Sequence, residues 1–223
     1  MSEQRMSRKE LHQPDQIQLW LYAASNFIYK KRKLFIAGIV LFTVAIISVF
    51  YGHHYYQAQQ IKQANLIYEA KKHILVNSGK ESQNQAIQAF NQFLKDYSDT
   101  VNSAIALMHL GELHTIQKNW GQAEQAYKKV IEHPKAIPSM ITAAKLSLIA
   151  VYENQQMFDT AKQAAESIDG ENWEDIRLRT LAQIALTKGD LSTAKSHLEQ
   201  LIKNTPNSEF TQEANTLLLT INP

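Results

Sequence analysis

Two histidines and a carboxylate in one short stretch are the residues of this sequence best suited to metal chemistry. His109, Glu112 and His114 lie in the run His-Leu-Gly-Glu-Leu-His. Histidines that bind one zinc ion from a single helix are spaced four residues apart, so that both rings reach the metal from the same face. A spacing of five turns the second side chain by about 140°. The spacing therefore argues against a metal site and favours a packing role for His114.

Other candidate sites are weaker still. The pair His53-His54 could bind a metal or respond to pH, although polar residues are common beside a membrane span. Gly79-Lys80 resembles the end of a phosphate-binding loop, but residue 74, where the first glycine of that loop would stand, is isoleucine. Neither pattern carries a catalytic prediction.

An acidic cluster surrounds Trp173, with Glu171, Glu174 and Asp175 close together. Negative charge at this density suits the solvated first turn of a helix, where it interacts favourably with the helix dipole. The chain also has no cysteine, which excludes disulfides, thiolate zinc sites and cysteine nucleophiles. We therefore predict a protein that is not an enzyme, with no catalytic residue, metal or cofactor.

The longest apolar stretch, residues 34–51, follows the four cations Lys30-Lys31-Arg32-Lys33. Its 18 residues carry no charge, and the next charge is Lys62. A helix of this length, rising about 1.5 Å per residue, crosses a hydrocarbon core of roughly 30 Å with its backbone groups paired internally. A core helix of a soluble protein would carry polar residues on one face. The stretch therefore predicts a transmembrane helix.

The charges on either side of this stretch predict its orientation. Up to Lys33 there are seven cations against three acids, whereas from Gln57 onward there are 16 cations against 18 acids. Cations stay on the cytoplasmic side, so we expect a cytoplasmic N-terminus, a periplasmic C-terminal domain and an outer aromatic belt of Phe50, Tyr51, Tyr55 and Tyr56. The pI near 8.6 averages two unlike parts and does not indicate nucleic acid.

A cleaved signal peptide is the alternative to a permanent anchor. The apolar stretch is longer than a usual signal-peptide core, 33 residues precede it, and no small-x-small cleavage site follows it. We therefore expect an uncleaved signal anchor in the lipid bilayer of the bacterial inner membrane.

Residues 1–13 are expected to be disordered. From Pro14 onward, an apolar stripe predicts an amphipathic helix that lies on the headgroup layer or packs on a protein partner.

Beyond the anchor, the composition predicts an all-α fold, and the pattern of residues repeats. Helix-forming residues dominate, and strand signals are sparse. A helical run to about Asn77 is expected to end in the loop Asn77–Ser82, with Gly79 as a left-handed stop. Three alanines, Ala123, Ala161 and Ala194, then share a register that we call the alanine register. In each copy a bulky apolar residue stands three places before the alanine, and apolar sites stand four and seven places after it: Trp120, Phe158 and Leu191; Tyr127, Ala165 and Leu198; Val130, Ile168 and Leu201.

This pattern resembles the tetratricopeptide repeat, a helix-turn-helix of about 34 residues. The alanines are 38 and 33 residues apart, and the best copy contains Leu110-Gly111, Ala123 and Tyr127. A degenerate copy with Ala86, Phe90 and Phe93 lies upstream. A single repeat cannot bury its apolar face alone, so the repeats should stack into an α-solenoid. The last segment, residues 207–221, is expected to form a C-terminal capping helix.

The resemblance to tetratricopeptide repeats implies a protein-binding groove lined by the first helix of each pair. In the alanine register, the residues predicted for this concave face are Ile105, Met108, Glu112, Leu146, Glu153, Arg179, Gln183 and Leu186. Their partly apolar character suits a peptide or helical ligand. The alternative is that the capping helix or the membrane-proximal helix fills part of the groove.

Two short motifs extend the resemblance to a particular family. Ile168-Asp-Gly-Glu-Asn-Trp173 precedes the last repeat, and Leu186-Thr-Lys-Gly-Asp190 follows its first helix. Together with the basic N-terminus, the anchor and the degenerate repeats, they resemble the YfgM-like ancillary subunits of the bacterial Sec translocon. The resemblance implies a periplasmic adaptor or chaperone-like subunit beside the translocon channel subunits. It also implies a membrane-anchored prolyl-isomerase-like chaperone as partner, and contact with exported polypeptides.

The expected organisation has three parts. Residues 1–33 form a cytoplasmic tail with an amphipathic helix, residues 34–56 the transmembrane signal anchor, and residues 57–223 a periplasmic tetratricopeptide-like domain. The alternative function is a structural scaffold of another envelope complex, for cell division or outer-membrane assembly. An exposed apolar groove would favour the adaptor, and a filled groove with a charged rim would favour the scaffold.

Overall fold

The computed structural model describes residues 16–76 and 79–221, and within these ranges every regular element is a helix. The expectation of disorder for residues 1–13 lies outside the described residues. The all-α prediction is confirmed. The helices are α1 Gln16–Lys30, α2 Arg32–Val76, α3 Lys80–Asp96, α4 Val101–Ile116, α5 Trp120–Ile131, α6 Pro138–Asn154, α7 Phe158–Glu166, a short 3-10 helix Glu171–Trp173, α8 Glu174–Lys188, α9 Leu191–Asn204 and α10 Thr211–Ile221.

The chain divides into two units, Met1–Gln59 and Gln60–Pro223, and α2 contributes residues to both. In the first unit, α1 is exposed along its whole length. An 18-residue window of α2 reaches a mean hydropathy of 2.6, and none of that window is buried. By length and composition, α2 can therefore cross a membrane. The helix continues without a break beyond the apolar stretch.

The second unit consists of helix pairs stacked one on the next. Its helices pack in chain order from α3 to α10, and α4 also contacts α6. The pairs are α2 with α3, α4 with α5, α6 with α7 and α8 with α9. The part of α2 in this unit joins the stack through Ile67 and Ala70, which lie in one buried cluster with Phe90 and Leu110. Asn102 strengthens this junction by donating hydrogen bonds to Gln60 and Gln63, at 3.0 and 3.2 Å.

Burial of the repeat positions confirms the alanine register. Ala86, Ala123, Ala161 and Ala194 all have 0% exposure. The sites four and seven residues after each alanine are buried too: Phe90, Tyr127, Ala165 and Leu198; Phe93, Val130, Ile168 and Leu201. A small side chain at the alanine position lets the helices approach closely, and the larger ones fill the space beside it. The degenerate first copy follows the same rule, so it is a true repeat.

The loop between the helices of the first pair differs from the prediction in two ways. Gly79 has φ −66° and ψ 158°, an extended conformation, and it is the N-cap residue of α3. The expectation of a left-handed helix stop at Gly79 was therefore wrong. Helix α3 also begins at Lys80, so residues 80–82 are helical and the connection is shorter than predicted. A polar run containing one glycine indicated a turn but did not specify its conformation.

The other three pairs share a turn with a left-handed residue five places before the alanine. Lys118 and Gln156 have φ 60°, and Gly189 has φ 83°. Non-glycine residues adopt this conformation at a cost, because their Cβ atom approaches the carbonyl oxygen. Asp190 follows Gly189 and caps α9 by accepting hydrogen bonds from Thr193 N at 3.0 Å, Thr193 Oγ1 at 2.7 Å and Ser192 Oγ at 2.8 Å. These bonds lower the pKa of Asp190 to about 2.

We expect Gly189→Ala to lower the free energy of unfolding by about 1 kcal/mol, because alanine must hold a positive φ. A Cβ at residue 189 would meet no atom within 4 Å, so the loss reports backbone strain alone. Urea unfolding of the full-length protein in detergent, followed by circular dichroism, measures it. The control is Gly121→Ala, at an equally open helical position, which should be neutral or slightly stabilising. Equal destabilisation by both variants would contradict the interpretation.

Helix α10 covers the last pair, as predicted for a capping helix. Its Ala214 is buried in a cluster with Leu178, Ala182, Leu198 and Leu201. Phe210, Leu217, Leu218 and Ile221 pack around this cluster. The apolar end of the solenoid is thereby shielded from water, which terminal repeats of such stacks require.

Candidate functional site

The candidate groove is the face formed by the eight residues predicted to bind protein. Each of them is exposed or half-buried, so none belongs to the fully buried core. Helix α4 contacts α6. Ile105, Met108 and Glu112 lie on α4, and Leu146 and Glu153 lie on α6. Arg179, Gln183 and Leu186 lie on α8.

The floor of the groove on α4 and α6 is apolar. Met108 and Leu146 pack on the central core cluster, and Ile105 packs on the cluster of the first repeat. These half-buried side chains are held in place by the core while part of their surface remains open. Ala143 and Ala150 are exposed on the same helix as Leu146. An apolar surface of this kind suits the apolar side chains of a peptide or helix.

Two carboxylates accompany this floor. Glu112 Oε2 lies 2.8 Å from His109 Nδ1, and the His109 ring stacks on Phe90 with centroids 5.5 Å apart. The Glu153 carboxylate forms no hydrogen bond or ion pair with any residue in the described ranges, and burial raises its pKa. An unpaired, partly buried carboxylate favours a ligand that brings a donor or a cation.

Helix α10 contacts two of the three groove residues predicted on α8, Arg179 and Gln183. Arg179 Nε donates to Glu213 Oε2 at 2.8 Å, and Arg179 Nη2 donates to Glu213 Oε1 at 3.1 Å. The Arg179 guanidinium also lies 4.9 Å from the centroid of the Phe210 ring. Hydrogen bonding to Glu213 raises the pKa of Arg179, and that to Arg179 lowers the pKa of Glu213. Gln183 lines the same contact, so α10 covers part of the face predicted on α8.

The two histidines with metal-like spacing have separate surroundings. His109 contacts Glu112 and Phe90, as described above, whereas His114 lies near α3 and α5. No group of three or more potential metal-binding side chains occurs within residues 16–76 and 79–221. Two of the acidic residues near Trp173 have structural partners: Asn204 Nδ2 donates to Glu174 at 3.0 Å, and Ser208 Oγ donates to Asp175 at 2.7 Å.

The two family motifs form turns. Gly170 has φ +102°, and a Cβ there would lie 3.4 Å from Cδ1 of Trp173. The backbone N–H of Trp173 donates to the carbonyl of Gly170 at 3.0 Å, and the indole packs on the central core. Gly189 and Asp190 form the turn between α8 and α9. The first motif therefore shapes the connection between the α6–α7 and α8–α9 pairs, and the second shapes the turn within the last pair. Leu186, the first residue of the second motif, is also one of the predicted groove residues.

The comparison with known proteins follows this architecture. Residues 26–180 match the tetratricopeptide repeat-like domain family. The chain belongs to that family.

A more particular similarity covers most of the chain. Over 167 residues it is 29% identical to a protein of Aggregatibacter actinomycetemcomitans that is named "Ancillary SecYEG translocon subunit". The match covers 74% of this chain and 80% of that protein. It confirms the resemblance that the two motifs and the anchor-plus-repeat organisation predicted.

The sequence did not indicate which of the predicted groove residues would form bonds within the fold and so be covered. The bond between Arg179 and Glu213 joins residues 34 positions apart, and the contact of Asn102 with Gln63 spans 39. A periodic pattern identifies which face of a helix is apolar. It does not identify which residues on two different helices contact each other. For Arg179, the only sequence signal was the apolar character of the last segment, which predicted that α10 must pack somewhere on the final pair.

Proposed function

We propose that this protein is a membrane-anchored adaptor of the Sec translocon that holds a tetratricopeptide-like domain in the periplasm. It acts without catalysis, through contacts with translocon channel subunits, a membrane-anchored prolyl-isomerase-like chaperone and exported polypeptides. The observation that carries the proposal is the similarity to an ancillary translocon subunit over 74% of the chain, together with the family match over residues 26–180. The open apolar floor of α4 and α6 supports a protein-binding role.

In this proposal residues 34–56 span the inner membrane as a signal anchor, residues 1–33 are cytoplasmic, and residues 57–223 are periplasmic. The apolar window of α2 and the cations that precede it support the orientation. The exposed apolar stripe of α1 supports a position on the cytoplasmic headgroup layer.

The natural absence of cysteine makes the orientation directly testable. We expect Gln163→Cys, at an exposed site on α7, to react with a membrane-impermeant maleimide in intact spheroplasts. The matched variant Ser25→Cys, at an exposed site on α1, should react only after the membrane is permeabilised. The reverse pattern would place the repeat domain in the cytoplasm and exclude a periplasmic adaptor.

The partners are testable by crosslinking in cells, gentle detergent extraction and mass spectrometry of the proteins that co-purify with the full chain. Channel subunits and a prolyl-isomerase-like chaperone as the main partners would support the adaptor. A structural scaffold is the second candidate, because α10 fills part of the groove and adds the charged pair Arg179–Glu213. Division or outer-membrane assembly proteins without channel subunits would support that scaffold and contradict the adaptor.

We expect Ala150→Glu to reduce the recovery of any partner that uses the groove by about tenfold, because it places a charge beside the apolar floor. Ala150 is exposed, so the fold should tolerate the change. Gln163→Glu adds the same carboxylate at an exposed site on α7 and should leave recovery unchanged. Quantitative mass spectrometry of the crosslinked material measures both. Equal recovery of the partners with the two variants would show that they bind outside the groove.

A further inference from the structure

Three outer seams lie where the second helix of one pair meets the helices of the next pair. The first seam lies between α3 and the pair α4–α5, the second between α5 and the pair α6–α7, and the third between α7 and the pair α8–α9. In the alanine register, the residue nine places before the alanine faces each seam. It is His114 in the first seam, Tyr152 in the second and Ala185 in the third. The three seams thus provide an internal comparison.

The second seam is filled by its own side chains. Tyr152 is buried, and its hydroxyl donates a hydrogen bond of 2.9 Å to Glu124 Oε1. Glu124 also pairs with Lys128 at 2.8 Å. The Tyr152 ring therefore fills this seam, and the Glu124 carboxylate beside it is held by the Tyr152 hydroxyl and by Lys128.

The first seam lacks both of these groups and is open. It contains a cavity of about 230 Å³, with walls that include Ile87, Leu107 and Leu110. Ile87 stands one place after Ala86, in the register position that Glu124 occupies in the second seam. Polar residues with donor groups also line the cavity: Asn91, His114, Gln122, Gln125 and Lys129.

The His114 ring leaves a polar group unsatisfied in this seam. Its Nδ1 atom is buried and has no hydrogen-bond partner among the described residues. A buried polar atom without a partner costs free energy, which a ligand bearing the matching group recovers. Burial also lowers the pKa of His114.

The cavity of the first seam is lined by a cation but by no carboxylate. Among the cavity residues, α5 contributes the cation Lys129, α4 contributes His114, and α3 contributes no titratable group. The third seam differs, because its cavity of about 120 Å³ already contains Asp159 and Asp190, and Lys188 donates to Asp159 at 3.0 Å. The first seam therefore has donors and a cation but no anion of its own.

We propose that the first seam binds a peptide segment in which a carboxylate side chain stands beside a large apolar one. The apolar side chain occupies the space that Tyr152 fills in the second seam, and the carboxylate accepts hydrogen bonds from His114 and Lys129. The site is separate from the candidate groove, because none of the predicted groove residues lines its cavity. It does not depend on a translocon partner.

The test uses the full-length protein in detergent micelles and fluorescence polarisation of the labelled, C-terminally amidated peptide Gly-Phe-Glu-Gly. The Gly-Phe-Gln-Gly peptide serves as its uncharged counterpart. We expect the glutamate peptide to bind about tenfold more tightly, because charge-assisted hydrogen bonds are lost with glutamine. Binding should also raise the pKa of His114, measured by NMR on protein labelled at histidine.

His114→Tyr is the decisive variant, because it gives the first seam the residue that fills the second. It should weaken binding of the glutamate peptide at least about tenfold. His197 lines the cavity of the third seam, and its Nδ1 atom is also buried without a partner among the described residues, so His197→Tyr is the matched control and should leave binding unchanged. Circular dichroism checks the fold, and Lys129→Glu at an exposed site replaces His114→Tyr if that variant unfolds. Equal affinity for both peptides, or binding that survives these changes, would overturn the proposal. So would a dimer of the wild-type chain that His114→Tyr abolishes, since a second copy would then be the occupant.

Discussion

Phe90→Ala is expected to lower the free energy of unfolding by about 3–5 kcal/mol, the range for removing a large aromatic side chain from a packed core. Phe90 has 0% exposure and lies in the cluster that joins α2, α3 and α4. Its ring also stacks on His109. The truncation therefore leaves a cavity at the junction between the first repeat and the rest of the stack. Urea unfolding followed by circular dichroism measures the change.

The control for Phe90→Ala is Leu75→Ala. Leu75 is a large apolar residue of the same repeat, but it is 71% exposed. Its truncation should change the free energy of unfolding by at most about 0.5 kcal/mol. A loss for Phe90→Ala no larger than the loss for Leu75→Ala would show that the degenerate first copy does not pack as a repeat.

Gly111→Ala is expected to destabilise the protein by about 1–3 kcal/mol, although alanine is the better helix former by about 1 kcal/mol. A Cβ at residue 111 would lie 2.4 Å from Cε1 of Tyr127 and 2.7 Å from two further ring atoms. The ring is buried at 2% exposure, and its hydroxyl lies 3.5 Å from Thr115 Oγ1. It cannot move away without disturbing α4 or α5. Chemical unfolding of the variant and the wild type gives the difference.

A double-mutant cycle separates the ring clash from other effects. In a Tyr127→Ala background the obstacle is gone, so Gly111→Ala should become neutral or stabilising. A similar loss in both backgrounds would place the strain elsewhere. The cycle therefore tests the close approach of α4 and α5 independently of the large cost of Tyr127→Ala itself.

The alanine register could be predicted from the sequence because each repeat packs its two helices with the same residue types at equivalent positions. Ala86, Ala123, Ala161 and Ala194 occupy equivalent positions, and burial of all four follows from the close approach of paired helices. Even the first copy, which keeps little beyond Ala86 and its two phenylalanines, obeys the rule. The apolar window of α2 was equally clear, because a membrane span depends on composition and length alone.

The turns and the groove were less predictable. Gly79 was expected to be left-handed, yet within residues 16–76 and 79–221 a positive φ occurs at Lys118, Gln156, Gly170 and Gly189. Glycine permits a positive φ without requiring it, and tertiary packing can impose one on lysine or glutamine. Arg179 was expected to face a ligand and instead contacts Glu213 on α10. That bond depends on where α10 packs, which periodicity does not encode.

By itself the sequence determined the all-α class, the apolar helix and the register in which the repeats stack, since these depend on local composition and spacing. Only the tertiary structure decided which positions are covered by other side chains and which border an open cavity. The same register position holds Tyr152 hydrogen-bonded to Glu124 in one seam and His114 beside a cavity in another. The reason is physical: a periodic pattern specifies which side of a helix is buried, whereas the partners of a side chain depend on residues brought close from distant parts of the chain.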